Sequence, residues 1–134
     1  MNPYATVKQA YNESSILTAS PEQLVVMLYD GGIRFLRQSA EAMRVGNREV
    51  ARERMRRGEA IIDELNWSLD MSYGQIPENL RLIYLFCKRH LVEAHLKRDA
   101  SHIDEVVRLL TDLRESWQQL SVQGAAARPA TAAG

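Results

Sequence analysis

Three histidines, one cysteine and a run of arginines interleaved with glutamates are the residues of this 134-residue chain whose types could carry chemistry. His90, Glu93 and His95 cluster on one predicted helix, which raises the di-iron sites of helical bundles. Those sites need Glu-x-x-His together with carboxylates from facing helices. No glutamate here is followed by histidine three residues later, and a single helix supplies too few ligands for a closed site. His95, followed by Lys97 and Arg98, imitates a phosphotransfer histidine, but positive charge is favoured at a helix C-terminus for purely structural reasons. Cys87 sits on an apolar helical seam, where a thiol acts as a small buried hydrophobe. Arg48, Arg52, Arg54, Arg56 and Arg57 would suit nucleic acid were Glu49, Glu53 and Glu59 not among them. Pairs such as Glu53 with Arg57 mark a solvated charged face.

Seventeen basic and seventeen acidic residues leave no net charge, so no global field draws the chain to nucleic acid or an anionic membrane. No phosphate-cradling glycine loop or nucleophile elbow is present. The sequence thus predicts no enzymatic activity, no cofactor and no metal. Recognition must come from shape and apolar contact. The N-terminus lacks the pattern of a signal peptide and no stretch approaches the ~18 apolar residues of a membrane span. A cytoplasmic protein without membrane insertion is expected, in which the Asn12-Glu-Ser14 and Asn66-Trp-Ser68 sequons meet no glycosylation machinery.

The elements that position these residues are helical throughout. Ser20 suits an N-cap, Pro21 the first helical position and Gln23 the far side of a capping box, so a first helix starts here and ends near Val45-Gly46. Asn47 caps a second helix to about Met71, with Ala51, Met55, Gly58, Ile62, Leu65 and Leu69 at alternating spacings of four and three. After the break Ser72-Tyr-Gly-Gln-Ile-Pro77, a third helix repeats Leu80, Tyr84, Cys87, Leu91 and Ala94. Ser101 caps a fourth, with Ile103, Val106, Leu110, Leu113, Trp117 and Leu120 as its seam. Short turns between helices of about twenty residues predict an all-α, antiparallel up-down-up-down four-helix bundle over residues 19–121. Residues 1–18 form a short N-terminal docking segment, since Tyr4, Val7, Tyr11, Ile16 and Leu17 are apolar on a piece too short for an independent helix. Residues 122–134, poor in anything to bury, form a disordered tail.

Two helices carry more apolar surface than one seam uses. On the first, Asp30, Arg34, Arg37 and Glu41 occupy a narrow polar wedge, while apolar residues spread over most of the circumference; an ordinary bundle helix needs a stripe little wider than ~100°. On the third, Leu82, Leu85, Val92 and Leu96 lie opposite the core seam, interrupted by Arg89 and Glu93. On the second, Trp67 projects from the polar side as a candidate anchor. The expectation is that these stripes border grooves for an amphipathic or extended partner segment.

The run Ala19-Ser-Pro-Glu-Gln-Leu24, with Met27-Leu-Tyr-Asp-Gly31 and Ile33-Arg-Phe-Leu36, resembles the opening helix of the bacterial flagellar secretion chaperones that hold flagellin before export. The resemblance continues through Ile61-Ile-Asp-Glu-Leu65, Ser68-Leu-Asp70, Asn79-Leu80, Ile83-Tyr84, Arg98-Asp99 and Leu113-Arg-Glu-Ser-Trp117. It implies a chaperone whose client is the disordered C-terminal region of flagellin, wrapped around the bundle so that premature polymerisation is prevented. Val7 and Tyr11 match recurring positions of an N-terminal segment that lies near the client. Asp30 and Arg34 would flank the groove, and Leu24, Met27, Leu28 and Gly31 would shape its floor; Trp67, Leu85, Val92 and Leu96 complete the expected partner-binding set. The export apparatus or a regulator is a further partner that the resemblance admits. The sequence departs from the family pattern at Ile83-Tyr84-Leu85-Phe86, where relatives read Leu-Tyr-Asp-Tyr, and at Gly74-Gln75, where relatives carry two glycines. The alternative reading is a structural homodimer, a helical-bundle adaptor whose extra stripes serve self-association.

Overall fold

A computed structural model describes residues 18–127, and these form four long helices and one short 3-10 turn. Helix α1 spans Pro21–Arg44, α2 Arg48–Trp67, α3 Gln75–Lys97 and α4 Ala100–Ala127, with the 3-10 turn at Met71–Tyr73. No strand occurs among the described residues. α1 packs on α2 and α4, and α3 packs on the same two helices from the opposite corner, as an up-and-down bundle requires.

Local sequence sets most of the boundaries. The capping box forms as expected: the Gln23 N–H donates to Ser20 Oγ at 3.1 Å, and the Ser20 N–H donates to Gln23 Oε1 at 2.7 Å. Asn47 Oδ1 accepts from the Val50 N–H at the start of α2. Three boundaries differ from expectation. α2 stops at Trp67 because Ser68 Oγ donates back to the Leu65 carbonyl and Asp70 captures the Ser72 N–H and hydroxyl, so short polar side chains outbid the helix for backbone partners. Asp99, not Ser101, holds the start of α4, since its Oδ1 accepts from both the Ser101 N–H and Oγ. α4 also runs on to Ala127, past the expected boundary at residue 122, through an alanine run of high helix propensity; residues 128–134 lie outside the described ones.

The core consists of the expected seams. Ala51, Met55, Ile62 and Leu65 of α2, Leu80, Tyr84, Cys87, Leu91 and Ala94 of α3, and Ile103, Val106 and Leu110 of α4 are all buried. Leu113 and Trp117 pack against them half-buried, while Leu120 is exposed. α1 and α2 approach most closely, because a Cβ added at Gly58 would come within 2.5 Å of Leu36 Cδ2, and one at Gly32 within 3.1 Å of Ile61 Cγ2. Ser39 Oγ donates to the Ala51 carbonyl at 2.6 Å across the same seam. Two buried polar features, a tyrosine pair and a carboxylate, were not foreseen. Tyr29 and Tyr84 meet across the bundle's diagonal with hydroxyl oxygens 2.5 Å apart, and Glu64 is buried on α2 with Oε1 lacking a hydrogen-bond partner among the described residues.

Candidate functional site

The apolar excess of α1 is consumed inside the bundle. Val26, Leu28, Tyr29, Ile33, Phe35, Leu36, Ala40 and Ala42 are all buried along it, leaving a narrow exposed wedge. Leu28 is 3% exposed and Gly31 is buried, and Leu24 and Met27 are half-buried against the core. The expectation of open surplus surface on α1 is corrected accordingly. The physical reason is that α1 is clasped by α2 on one side and α4 on the other while Tyr29 points along the diagonal toward α3, so three directions need apolar cover. Asp30, half-buried, accepts from Arg114 Nε at 2.8 Å and ties α1 to α4. Arg34 is exposed, its guanidinium 5.6 Å from the Phe35 ring centre, as is that of Arg57.

The excess of α3 stays outside. Leu82, Leu85, Phe86, Val92 and Leu96 are between 41% and 71% exposed. At ~100° per residue they fall within an arc of roughly 120° opposite the buried Leu80, Tyr84, Leu91 line. Sequence reasoning found this stripe but missed Phe86, although its place four residues after Leu82 signals membership. Arg89 and Glu93 lie along the stripe, and Glu93 is tied to Lys97 at 3.0 Å. On the α2 side it is edged by Lys88 bound to Asp63 at 2.6 Å, with a narrow cleft lined by Ile62, Asn66, Arg81 and Leu85 behind. On the α4 side, His90 Nε2 meets Glu105 Oε2 at 2.5 Å and the Phe86 ring stacks on His90 at 4.6 Å between ring centres. Trp67 is 79% exposed, and Met71, Tyr73 and Ile76 beside the α2–α3 turn are exposed with it, a second apolar patch of which the sequence reading contained only Trp67. Val7 and Tyr11 lie outside the described residues.

The titratable groups carry no catalytic arrangement among the described residues. Burial pushes the Cys87 thiol up to about 12, which keeps it an inert core side chain. Burial likewise pushes the Tyr29 hydroxyl up to about 12 against the lowering effect of its bond to Tyr84, and raises Tyr84 further. Both remain neutral bridging groups at any physiological pH. His90 gathers with His102 and Glu105 of α4, their ligand atoms within 4.8 Å of one another. Glu93 and His95, the neighbours expected from sequence, are not part of that group. Three ligands fall one short of a closed tetrahedral site. The arginine run divides in two: Arg54 and Arg57 pair with Glu53 at 2.5 Å each, as expected for a solvated face, whereas Arg48 and Arg52 turn to a cleft at the bundle's end.

An inert interior and an apolar exterior stripe describe a binding protein, and comparison with known proteins agrees. The sequence profile of the family described as flagellar protein FliS matches residues 3–124. The chain is similar to the flagellar secretion chaperone FliS of Bacillus subtilis, at 34% identity over 118 residues that cover 88% of this chain and 85% of the relative. It is similar to that of Salmonella typhimurium at 36% identity, covering 81% and 82% of the two chains, and to that of Vibrio cholerae at 33%, covering 84% and 86%.

Proposed function

Because this chain belongs to the FliS family of flagellar secretion chaperones, a family of chaperones and not of enzymes, we propose that its client is the C-terminal region of flagellin. The client lies along the α3 stripe in the cytoplasm before export, and its covered apolar segments are kept from premature polymerisation. The observation that carries this reading is the exposed row Leu82, Leu85, Phe86, Val92 and Leu96 on the face of α3 opposite its core. Monomeric proteins rarely leave a contiguous apolar row of this kind without a partner. No described helix is long and apolar enough to cross a membrane, so a lipid-spanning role does not account for the row.

Magnitudes favour an extended client. Fully burying a large aliphatic or aromatic side chain contributes about 1.5 to 3 kcal/mol, and these side chains are already about half covered, so the row supplies roughly 5 kcal/mol when sealed. Ordering a disordered segment costs about 2 to 5 kcal/mol. The stripe alone therefore does little more than offset the ordering cost, and net affinity requires further contact. Trp67, Met71, Tyr73 and Ile76 at one end of α3 offer it, as do the half-buried Leu24 and Met27 at the start of α1, where Asp30 and Arg34 lie on the solvent side. Val7 and Tyr11 belong to the same proposed surface.

Light scattering on the purified protein with and without a peptide of flagellin's last ~40 residues, a length able to bury the ~1,000 Å² or more typical of coupled folding and binding, tests the reading. A one-to-one complex is expected. A stable homodimer that ignores the peptide would replace the client reading with that of a self-associating adaptor.

A further inference from the structure

At the end of the bundle where α1 finishes, α2 starts and α3 finishes, the surface opens into a cleft of about 410 Å³ lined by Met43, Ala51, Arg48, Arg52, Met55, His95, Leu96 and Arg98 with Gly46. Its floor is apolar: Ala51 and Met55 are buried and Met43 is half-buried against the core. Its rim is cationic, with Arg48, Arg52 and Arg98 all exposed. None of the three arginines makes an ion pair among the described residues, although the chain as a whole carries no net charge. No carboxylate lines the cleft, and of those nearby only Glu49, in the first turn of α2, makes no ion pair among the described residues. Glu53 holds Arg54 and Arg57, Glu93 holds Lys97, Asp104 holds Arg44, and Asp99 accepts from Ser101. Three arginines therefore line an apolar hollow whose lining contains no carboxylate, a local charge that favours an anionic guest.

Arg98 adds a second sign. It terminates α3 with φ 52°, the left-handed conformation that glycine adopts most readily, and it is the one non-glycine residue with positive φ among the described residues. A side chain there carries a conformational cost of order 1 kcal/mol. The position thus bears a guanidinium at the rim of the cleft where glycine would be easier.

Leu96 belongs both to the exposed stripe of α3 and to the lining of this cleft, so the apolar track leads directly into it. We propose that the cleft is a charge-reading terminus of that track: it takes a client segment in which an aspartate or glutamate neighbours an aliphatic side chain. The aliphatic group enters against Met43, Ala51 and Met55, and the carboxylate is held by Arg52 and Arg98 with Arg48 at the mouth. The proposal rests on the flagellin reading above and adds the register device that reading lacks. An apolar stripe alone tolerates a client sliding along it, whereas a carboxylate held among arginines fixes one alignment.

The test titrates a peptide of flagellin's last ~40 residues into the full-length protein by calorimetry, at 50 and 300 mM NaCl. Four proteins are compared: wild type, Arg52→Glu/Arg98→Glu, Arg52→Lys/Arg98→Lys, and Leu85→Ser/Val92→Ser. Thermal unfolding verifies that all are folded, which the exposure of every changed side chain favours. The charge reversal is expected to weaken binding about tenfold or more at low salt and to flatten its salt dependence, while the lysine variant stays within about threefold of wild type. Charge reversal that leaves affinity and salt dependence unchanged overturns the cleft proposal and spares the client reading if Leu85→Ser/Val92→Ser still weakens binding. Absence of binding by wild type overturns both.

Discussion

α1 and α3 occupy diagonal corners of the bundle, and both carry more apolar residues than one helical seam needs, yet the excess has opposite fates. On α1 it is drawn inside, because Gly32 and Gly58 let α1 and α2 approach closely on one flank while α4 covers the other. On α3 the core face is built from Leu80, Tyr84, Cys87, Leu91 and Ala94, and nothing described packs beyond it, so Leu82, Leu85, Phe86, Val92 and Leu96 face solvent. An apolar arc states how much cover a helix requires. What provides that cover depends on how closely the neighbours can come.

The contrast can be broken first at the α1–α2 seam. Leu36→Ala removes a fully buried side chain and is expected to destabilise the fold by about 2 to 5 kcal/mol in urea denaturation. Gly58→Ala places a methyl group against Leu36 in a packed seam and should cost about 1 to 3 kcal/mol; an unchanged denaturation midpoint would show that α1 is held less tightly than described. Tyr29→Phe leaves the buried Tyr84 hydroxyl without its partner and should cost about 1 kcal/mol or somewhat more. The same pair gives a pH signature. Both hydroxyls hold their protons more firmly in the folded chain than in the unfolded one, where tyrosine ionises near pH ~10. Their contribution is complete below that pH and is lost as pH rises toward about 12, so the denaturation midpoint should fall across that window in wild type and fall less in Tyr29→Phe. At the other corner, Leu85→Ser and Val92→Ser should each change stability by no more than about 0.5 kcal/mol while reducing the binding of a hydrophobic dye.

The sequence exposed the bundle and its seams with little loss, because a seam is a property of one helix and its period. The apolar core seams of α2, α3 and α4, the capping box at Ser20 and the Glu53–Arg57 pair all follow from spacings of three and four. What it concealed depends on residues far apart in the chain. The Tyr29–Tyr84 bridge joins opposite corners, Glu64 lies buried on a face that the period assigns to its neighbours, and His90 meets His102 and Glu105 from another helix. The proposed binding surface divides in the same way. Leu85, Val92 and Leu96 were legible because they oppose a seam on their own helix, whereas the burial of Leu28 and Gly31 depends on packing that the period of α1 alone does not give. Arg48 and Arg52 belonged to an apparently uniform charged run, and only the packing of three helix ends separates them from Arg54 and Arg57.

The central claim is that the exposed row on α3 is the seat of a disordered client. Isothermal titration of flagellin's C-terminal segment into wild type and into Leu82→Ser/Leu85→Ser/Val92→Ser tests it most directly. The account predicts a loss of about a hundredfold in affinity, since each of the three side chains contributes about 1 kcal/mol and every ~1.4 kcal/mol is tenfold, together with a less negative heat-capacity change and unaltered folding. Equal affinity and equal heat-capacity change in the two proteins would contradict it.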